Sequence, residues 1–142
     1  MLPDRVYFTD RDLGRRIFPG ALRQAGLRVE PHDDHFRPDA ADVDWLPEVA
    51  RRGWVVLSND QKILRRPLER EAVRSAGATL LVLIGGDATA PELARNFLNT
   101  LSKVEAFLDR HSPPLIAKVY RPSPADLIDA GRPGSIELKL HW

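Results

Sequence analysis

The spacing of apolar positions changes several times along the chain, and each change marks an element. Arg5 to Thr9 (RVYFT) is a β-branched and aromatic run that predicts a first strand leading straight into Asp10-Arg11-Asp12. From Leu13 to Ala25, apolar side chains at Leu13, Ile17, Ala21, Leu22 and Ala25 fall at helical spacing. Pro19-Gly20 is expected to break or restart that helix, and Gly26 to close it. Leu27 to Glu30 reads as a short second strand, and the Pro- and Asp-rich stretch from Pro31 to Asp42 as loop. Asp42 or Asp44 is placed to cap the next helix, in which Trp45, Leu46, Val49 and Ala50 share a face ahead of Gly53.

Trp54 to Leu57 is a row of four apolar residues, the pattern of a parallel strand covered on both faces, and it ends at Ser58-Asn59-Asp60. Gln61 to Ala76 predicts a charged helix interrupted by Pro67; Ala78 to Ile84 predicts a strand with Gly85-Gly86-Asp87 as the turn after it. The longest predicted helix is Ala90 to Arg110, with Pro91 in its first turn and Leu93, Phe97, Leu101, Val104 and Leu108 along one stripe. Leu115 to Tyr120 predicts a last strand. Residues 122–142 form a Pro- and Gly-rich tail that is either loosely held or adds SIELKLH as an edge strand. Strands alternating with helices predict an α/β three-layer sandwich: a mainly parallel central sheet, right-handed crossovers, and ligands at the carboxyl ends of the strands.

Composition narrows the chemistry. The 142 residues suit one domain, assigned here to residues 1–121 plus the tail. With 43% hydrophobic and 29% charged residues the chain has the balance of a folded globular protein, and a formal net charge of +1 leaves any electrostatic attraction to be local. No cysteine is present, which excludes a disulfide scaffold, a thiolate zinc site and a cysteine nucleophile and agrees with a reducing cytoplasm. The most apolar run, Ala78 to Ile84, is far short of the roughly 18 residues of a membrane span, and the N-terminus lacks a signal-like stretch. A cytoplasmic protein without membrane contact is expected.

Three acidic clusters fall at predicted strand ends or a helix start: Asp10 with Asp12, Asp42 with Asp44, and Asp60. Gathered carboxylates repel one another unless a hard divalent cation neutralises them, and such an ion can acidify a water for attack on a phosphodiester. Taken singly, an Asp after a strand is more often a turn or cap residue, and Asp12 and Asp44 are read first in that way.

The stretch Asp42-Val43-Asp44-Trp45-Leu46-Pro47-Glu48-Val49, continuing through Arg52-Gly53-Trp54-Val55-Val56-Leu57-Ser58-Asn59-Asp60-Gln61-Lys62-Ile63, resembles the signature of PIN-like domains of the VapC-type toxin branch. Phe8 to Gly14 resembles the first-strand acidic motif of the same group, and the general layout fits through about Tyr120. The resemblance implies a ribonuclease dependent on Mg2+ or Mn2+, with Asp10, Asp42 and Asp60 as catalytic and metal-binding acids and Ser58 orienting Asp60. Asp12, Asp44 and Asp87 are further metal-ligand candidates, Asp87 as the fourth acid that the family pattern usually carries. It also implies an RNA substrate, a small antitoxin partner and pairing as a homodimer.

Arg11, Arg15, Lys62 and Arg65, with Arg16 and Arg66 nearby, are candidate phosphate contacts or else solvated helix faces. His32-Asp33-Asp34-His35 has the composition of a metal cluster, although four adjacent loop residues converge poorly on one ion. Trp45 and Trp54 are candidate base-stacking groups, with core packing the commoner role. Two other functions are open at this level. One is a non-catalytic PIN-like module that binds RNA or protein; the other is a haloacid-dehalogenase-like phosphatase with Asp10 as nucleophile, suggested by Asp10-Arg11-Asp12.

Overall fold

A computed structural model describes residues 4–142, so the start of the predicted 1–121 unit lies outside the described residues. The strands β1 (Val6–Thr9), β2 (Arg28–Pro31), β3 (Val55–Ser58), β4 (Thr79–Ile84), β5 (Leu115–Tyr120) and β6 (Ser135–His141) form one sheet in the order β2-β1-β3-β4-β5-β6. All neighbours are parallel except β6, which runs antiparallel to β5. The helices are α1 (Ile17–Gln24), α2 (Asp42–Arg51), α3 (Pro67–Ala76) and α4 (Ala90–Arg110).

Alternation along the buried strands splits the core in two. Tyr7, Val55, Leu57, Leu81, Leu83, Leu115, Ala117 and Val119 face α1 and α4, where Phe18, Leu22, Phe97 and Phe107 meet them. Phe8, Val56, Leu80, Val82 and Ile116 face α2 and α3 and pack on Trp45, Leu46, Val49 and Val73. Each fully buried side chain of this size stabilises the fold by about 1.5–3 kcal/mol relative to an exposed one, so the α/β/α sandwich holds through both faces.

The crossovers are not of uniform hand. The steps β3 to β4 and β4 to β5 run in the same direction across the sheet, yet α3 packs on one face and α4 on the other. Of two such parallel connections one must be left-handed, which corrects the expectation of right-handed crossovers throughout. Packing supplies the reason: α1 is only eight residues long and covers one end of its face, and the 21-residue α4 covers the rest.

Several local expectations shift. Pro19 does not break α1 but sits in its first turn, where a missing N–H costs nothing. The predicted 61–76 helix is a 3-10 turn over Gln61–Arg65 followed by α3, with Pro67 as the first residue of α3. Neither Asp42 nor Asp44 caps α2: the cap position is Ala41, and both acids lie in the first turn, where the helix dipole favours a negative charge. α4 has the predicted bounds and opens with a capping box in which Thr89 Oγ1 accepts the Glu92 N–H and the Glu92 carboxylate accepts the Thr89 N–H.

The tail adds the edge strand. Thr100 Oγ1 on α4 accepts the Gly134 N–H at 2.9 Å and Lys103 Nζ donates to the Gly134 carbonyl at 2.9 Å. A Cβ at Gly134 would come within 1.7 Å of the Tyr120 carbonyl oxygen, so the close approach that starts β6 requires glycine.

Candidate functional site

Because β2 and β3 flank β1, the chain leaves β1 toward α1 on one face and leaves β3 toward α3 on the other. A crevice opens at such a reversal, beyond the carboxyl ends of β1 and β3. Asp10, the first residue past β1, remains tied to the neighbouring strand: its N–H donates to the Leu57 carbonyl at 2.9 Å. Its carboxylate accepts the Arg11 N–H at 2.8 Å and starts a 3-10 turn over Arg11–Leu13.

That turn sends Asp12 across to the end of β3. The buried Ser58 hydroxyl donates to Asp12 Oδ2 at 2.7 Å, and the Asn59 N–H donates to Asp12 Oδ1 at 3.4 Å. The same hydroxyl accepts the Asp60 N–H at 3.1 Å. Ser58 therefore orients the Asp12 carboxylate and the Asp60 backbone, whereas the resemblance assigned it to Asp60 alone. Asp60 Oδ1 accepts the Lys62 N–H at 3.0 Å, and Asp60 Oδ2 accepts from Arg66 Nη1 at 3.0 Å.

Asp42 arrives from a third segment. Arg11 Nη1 donates to the carbonyls of Pro38 and Ala40, the latter at 2.9 Å, and Arg11 Nη2 stands 3.6 Å from Asp42 Oδ1. The guanidinium thus pins the chain ahead of α2 against the end of β1 and carries Asp42 to the crevice.

Two of the four acids, Asp10 and Asp12, are raised by burial and by their neighbours. Burial, and then the charges of Asp12 and Asp42, push the Asp10 carboxyl up to about 7 against the opposing Arg11 N–H bond. Asp12 stands at the mouth of the crevice, open to solvent yet hemmed in by protein atoms. Its carboxyl is raised as well, first by desolvation and then by Asp60 and Asp42, with the Ser58 and Asn59 bonds acting the other way.

Hard oxygen donors in mutual repulsion fit a divalent cation such as Mg2+ or Mn2+, which would offset both the burial and the like charges that raise the Asp10 carboxyl. Among the described residues no three His, Asp or Glu side chains stand ready to enclose an ion. Two of the four acids face guanidinium groups instead, Asp42 that of Arg11 and Asp60 that of Arg66.

The other candidates are dispersed. Asp44 is exposed in the first turn of α2. Asp87 is fully exposed, 3.8 Å from Arg121 Nη1, and contributes to neither raised carboxyl. Within 32–35, His32 is buried against Phe8, Phe36 and Trp45 and bonds to Asp33, while His35 turns to Glu30, so the four side chains do not converge. Trp45 is 2% exposed, which removes it as a stacking surface for bases. Trp54 precedes β3 at the opposite end of the sheet, under the Arg52 guanidinium. Arg15 lies 3.5 Å from Asp33, and Arg16, Lys62 and Arg65 are exposed with no carboxylate partner among the described residues.

Glu69, which sequence reasoning did not single out, accepts from Arg66 Nη1 at 3.1 and 3.3 Å and shares a cleft of about 260 Å³ with Arg11, Asp42 and the exposed Leu68. Its signal was a local one, an acid two residues after a Pro that opens a helix; its place beside Asp60 depends on the turn between them.

Residues 6–85, more than half of the chain, match the family described as a PIN like domain. Asp10, Asp12, Asp42, Ser58 and Asp60 lie inside that span and Asp87 lies outside it. A relative from Mycobacterium tuberculosis named "Putative ribonuclease VapC45" is 31% identical over 101 residues, which cover 68% of this chain and 73% of the relative. No solved structure matches the chain. Among the described residues no helix is long and apolar enough to cross a membrane. The chain belongs to the PIN-like domain family, in its VapC-type branch.

Proposed function

We propose that the protein is a divalent-cation-dependent endoribonuclease, the toxin of a toxin and antitoxin pair, that hydrolyses RNA phosphodiesters at the crevice between β1 and β3. The observation that carries this is that Asp42 and Asp60, on two other segments, stand near enough to Asp10 and Asp12 for their charges to help raise both carboxyls, that of Asp10 to about 7 with burial as the larger cause. The relative named as a ribonuclease supports the same chemistry.

Asp10, Asp12, Asp42 and Asp60 would hold Mg2+ or Mn2+, with Asp12 in a fuller role than a turn residue. When bound, the ion acidifies a water and stabilises charge on the phosphoryl oxygens. Ser58 holds the Asp12 carboxylate by its hydroxyl, and Asp10 would have to be ionised to serve as a ligand. Arg16, Lys62 and Arg65 are free to meet the phosphates of the RNA, with Arg15 next in line. The antitoxin, a second copy of the chain as homodimer partner, and a cytoplasmic site of action complete the proposal.

Cleavage of RNA in Mn2+ or Mg2+, lost in both Asp10→Asn and Asp60→Asn, is the expected result. Unchanged cleavage in both variants would remove the assignment. Failure to bind Mn2+ at millimolar concentration in calorimetry would favour the non-catalytic module. The phosphatase reading rests on Asp10-Arg11-Asp12 alone, whereas the family match spans residues 6–85.

A further inference from the structure

Arg66 is held in an unusual way. Its backbone is fixed at the junction of the 3-10 turn and α3, where its carbonyl accepts the N–H groups of Glu69 and Arg70, each at 3.1 Å. Its side chain is 45% exposed, and a single nitrogen, Nη1, serves three carboxylate oxygens, one of Asp60 and two of Glu69. Nε and Nη2 donate to nothing among the described residues. A guanidinium in a structural ion pair frequently sets two nitrogens on one carboxylate; here, among the described residues, Nε and Nη2 remain uncommitted on a half-exposed side chain.

We infer that Arg66 is a phosphate ligand for the RNA held in reserve by Asp60 and Glu69, and that its guanidinium competes with the divalent ion for the Asp60 carboxylate. The inference rests on the nuclease reading of the same crevice. Asp60 Oδ2 accepts from Arg66 at 3.0 Å, so a cation coordinated by that carboxylate meets a positive charge beside its own ligand. Repulsion weakens the guanidinium contact, and the fork turns about its fixed backbone toward the anionic substrate. Arg65, one residue earlier, carries the same charge without a carboxylate partner among the described residues and serves as the internal control.

The test is calorimetric titration with Mn2+ of the wild type, Arg66→Gln, Arg66→Lys and Arg65→Gln. It is paired with binding of a short fluorescein-labelled single-stranded RNA in Ca2+. Arg66→Gln is expected to bind Mn2+ about tenfold more tightly and RNA severalfold more weakly, because one charge is removed beside a doubly charged ion at an exposed site. Arg66→Lys and Arg65→Gln should stay within about twofold of wild type for Mn2+. Mn2+ affinity unchanged or lowered in Arg66→Gln, an equal gain in Arg65→Gln, or undiminished RNA binding in Arg66→Gln overturns the inference and leaves the nuclease reading standing. No Mn2+ uptake by any of the four proteins sinks both.

Discussion

Ser58 and Asp12, 46 residues apart, share a 2.7 Å hydrogen bond in which the hydroxyl donates to the carboxylate, while the same oxygen accepts the Asp60 N–H. One buried hydroxyl thus sets two of the four acids. Ser58→Ala should cost about 1–2 kcal/mol in urea denaturation and weaken Mn2+ binding by about tenfold, since partners behind the ligands orient them. Wild-type Mn2+ affinity in this variant would show that Asp12 needs no such support.

Asp10 makes stability depend on pH in a defined direction. Its folded carboxyl lies near 7 against 3.8 for the free group, so the native state keeps a proton that the unfolded chain has already lost. The stabilisation is complete below about pH 4 and is lost progressively as the pH rises through about 7, a change on the order of 4 kcal/mol. Urea midpoints in a chelating buffer should therefore fall between about pH 5 and about pH 8 in the wild type and fall less in Asp10→Asn, where only the raised Asp12 carboxyl still acts in that direction. The apparent Mn2+ affinity should rise over the same interval, because coordination at Asp10 releases that proton.

Arg11 acts on the chain ahead of α2 through backbone carbonyls, unlike Arg66. Arg11→Ala frees the carbonyls of Pro38 and Ala40, and amide hydrogen exchange over residues 36–44 should accelerate, with a stability loss of about 1–2 kcal/mol. Arg11→Lys should restore little of this, since an ammonium cannot span two carbonyls and Asp42 in one plane. Unaltered exchange in Arg11→Ala would return Arg11 to the pool of RNA contacts.

Trp45 anchors α2 by its ring, which lies 5.1 Å from that of Phe8, and its buried indole N–H has no partner among the described residues. Trp45→Ala should destabilise by about 3–5 kcal/mol, whereas Trp45→Phe, which removes the orphaned N–H, should cost less than about 1.5 kcal/mol. RNA affinity of the folded Trp45→Phe protein should match the wild type; a loss there would restore the stacking role.

The elements legible in the chain were those with local signals. The sequence predicts Ala90 to Arg110 and Leu115 to Tyr120 with their observed bounds, because a proline in a first turn and a short apolar run broken only by Lys118 act over a few residues. Pro19 and Pro67 misled where position within a turn mattered: both sit in first turns, which lack intrahelical N–H bonds in any case. Asp10, Asp42 and Asp60 were visible as acids at element ends. The standing of Asp12 was not, since its partner Ser58 lies on another strand.

By itself, then, the order of residues determined most of the strands and helices, though not whether residues 135–141 join the sheet, together with a mainly parallel sheet and the carboxylates at strand ends, all consequences of short-range sterics and periodicity. Only the tertiary structure decided that Ser58 serves Asp12, that Arg11 and Arg66 each hold a crevice acid, and that one crossover takes the rarer hand. Those outcomes depend on distances between segments tens of residues apart, and such distances arise from how the two faces of the sheet are covered.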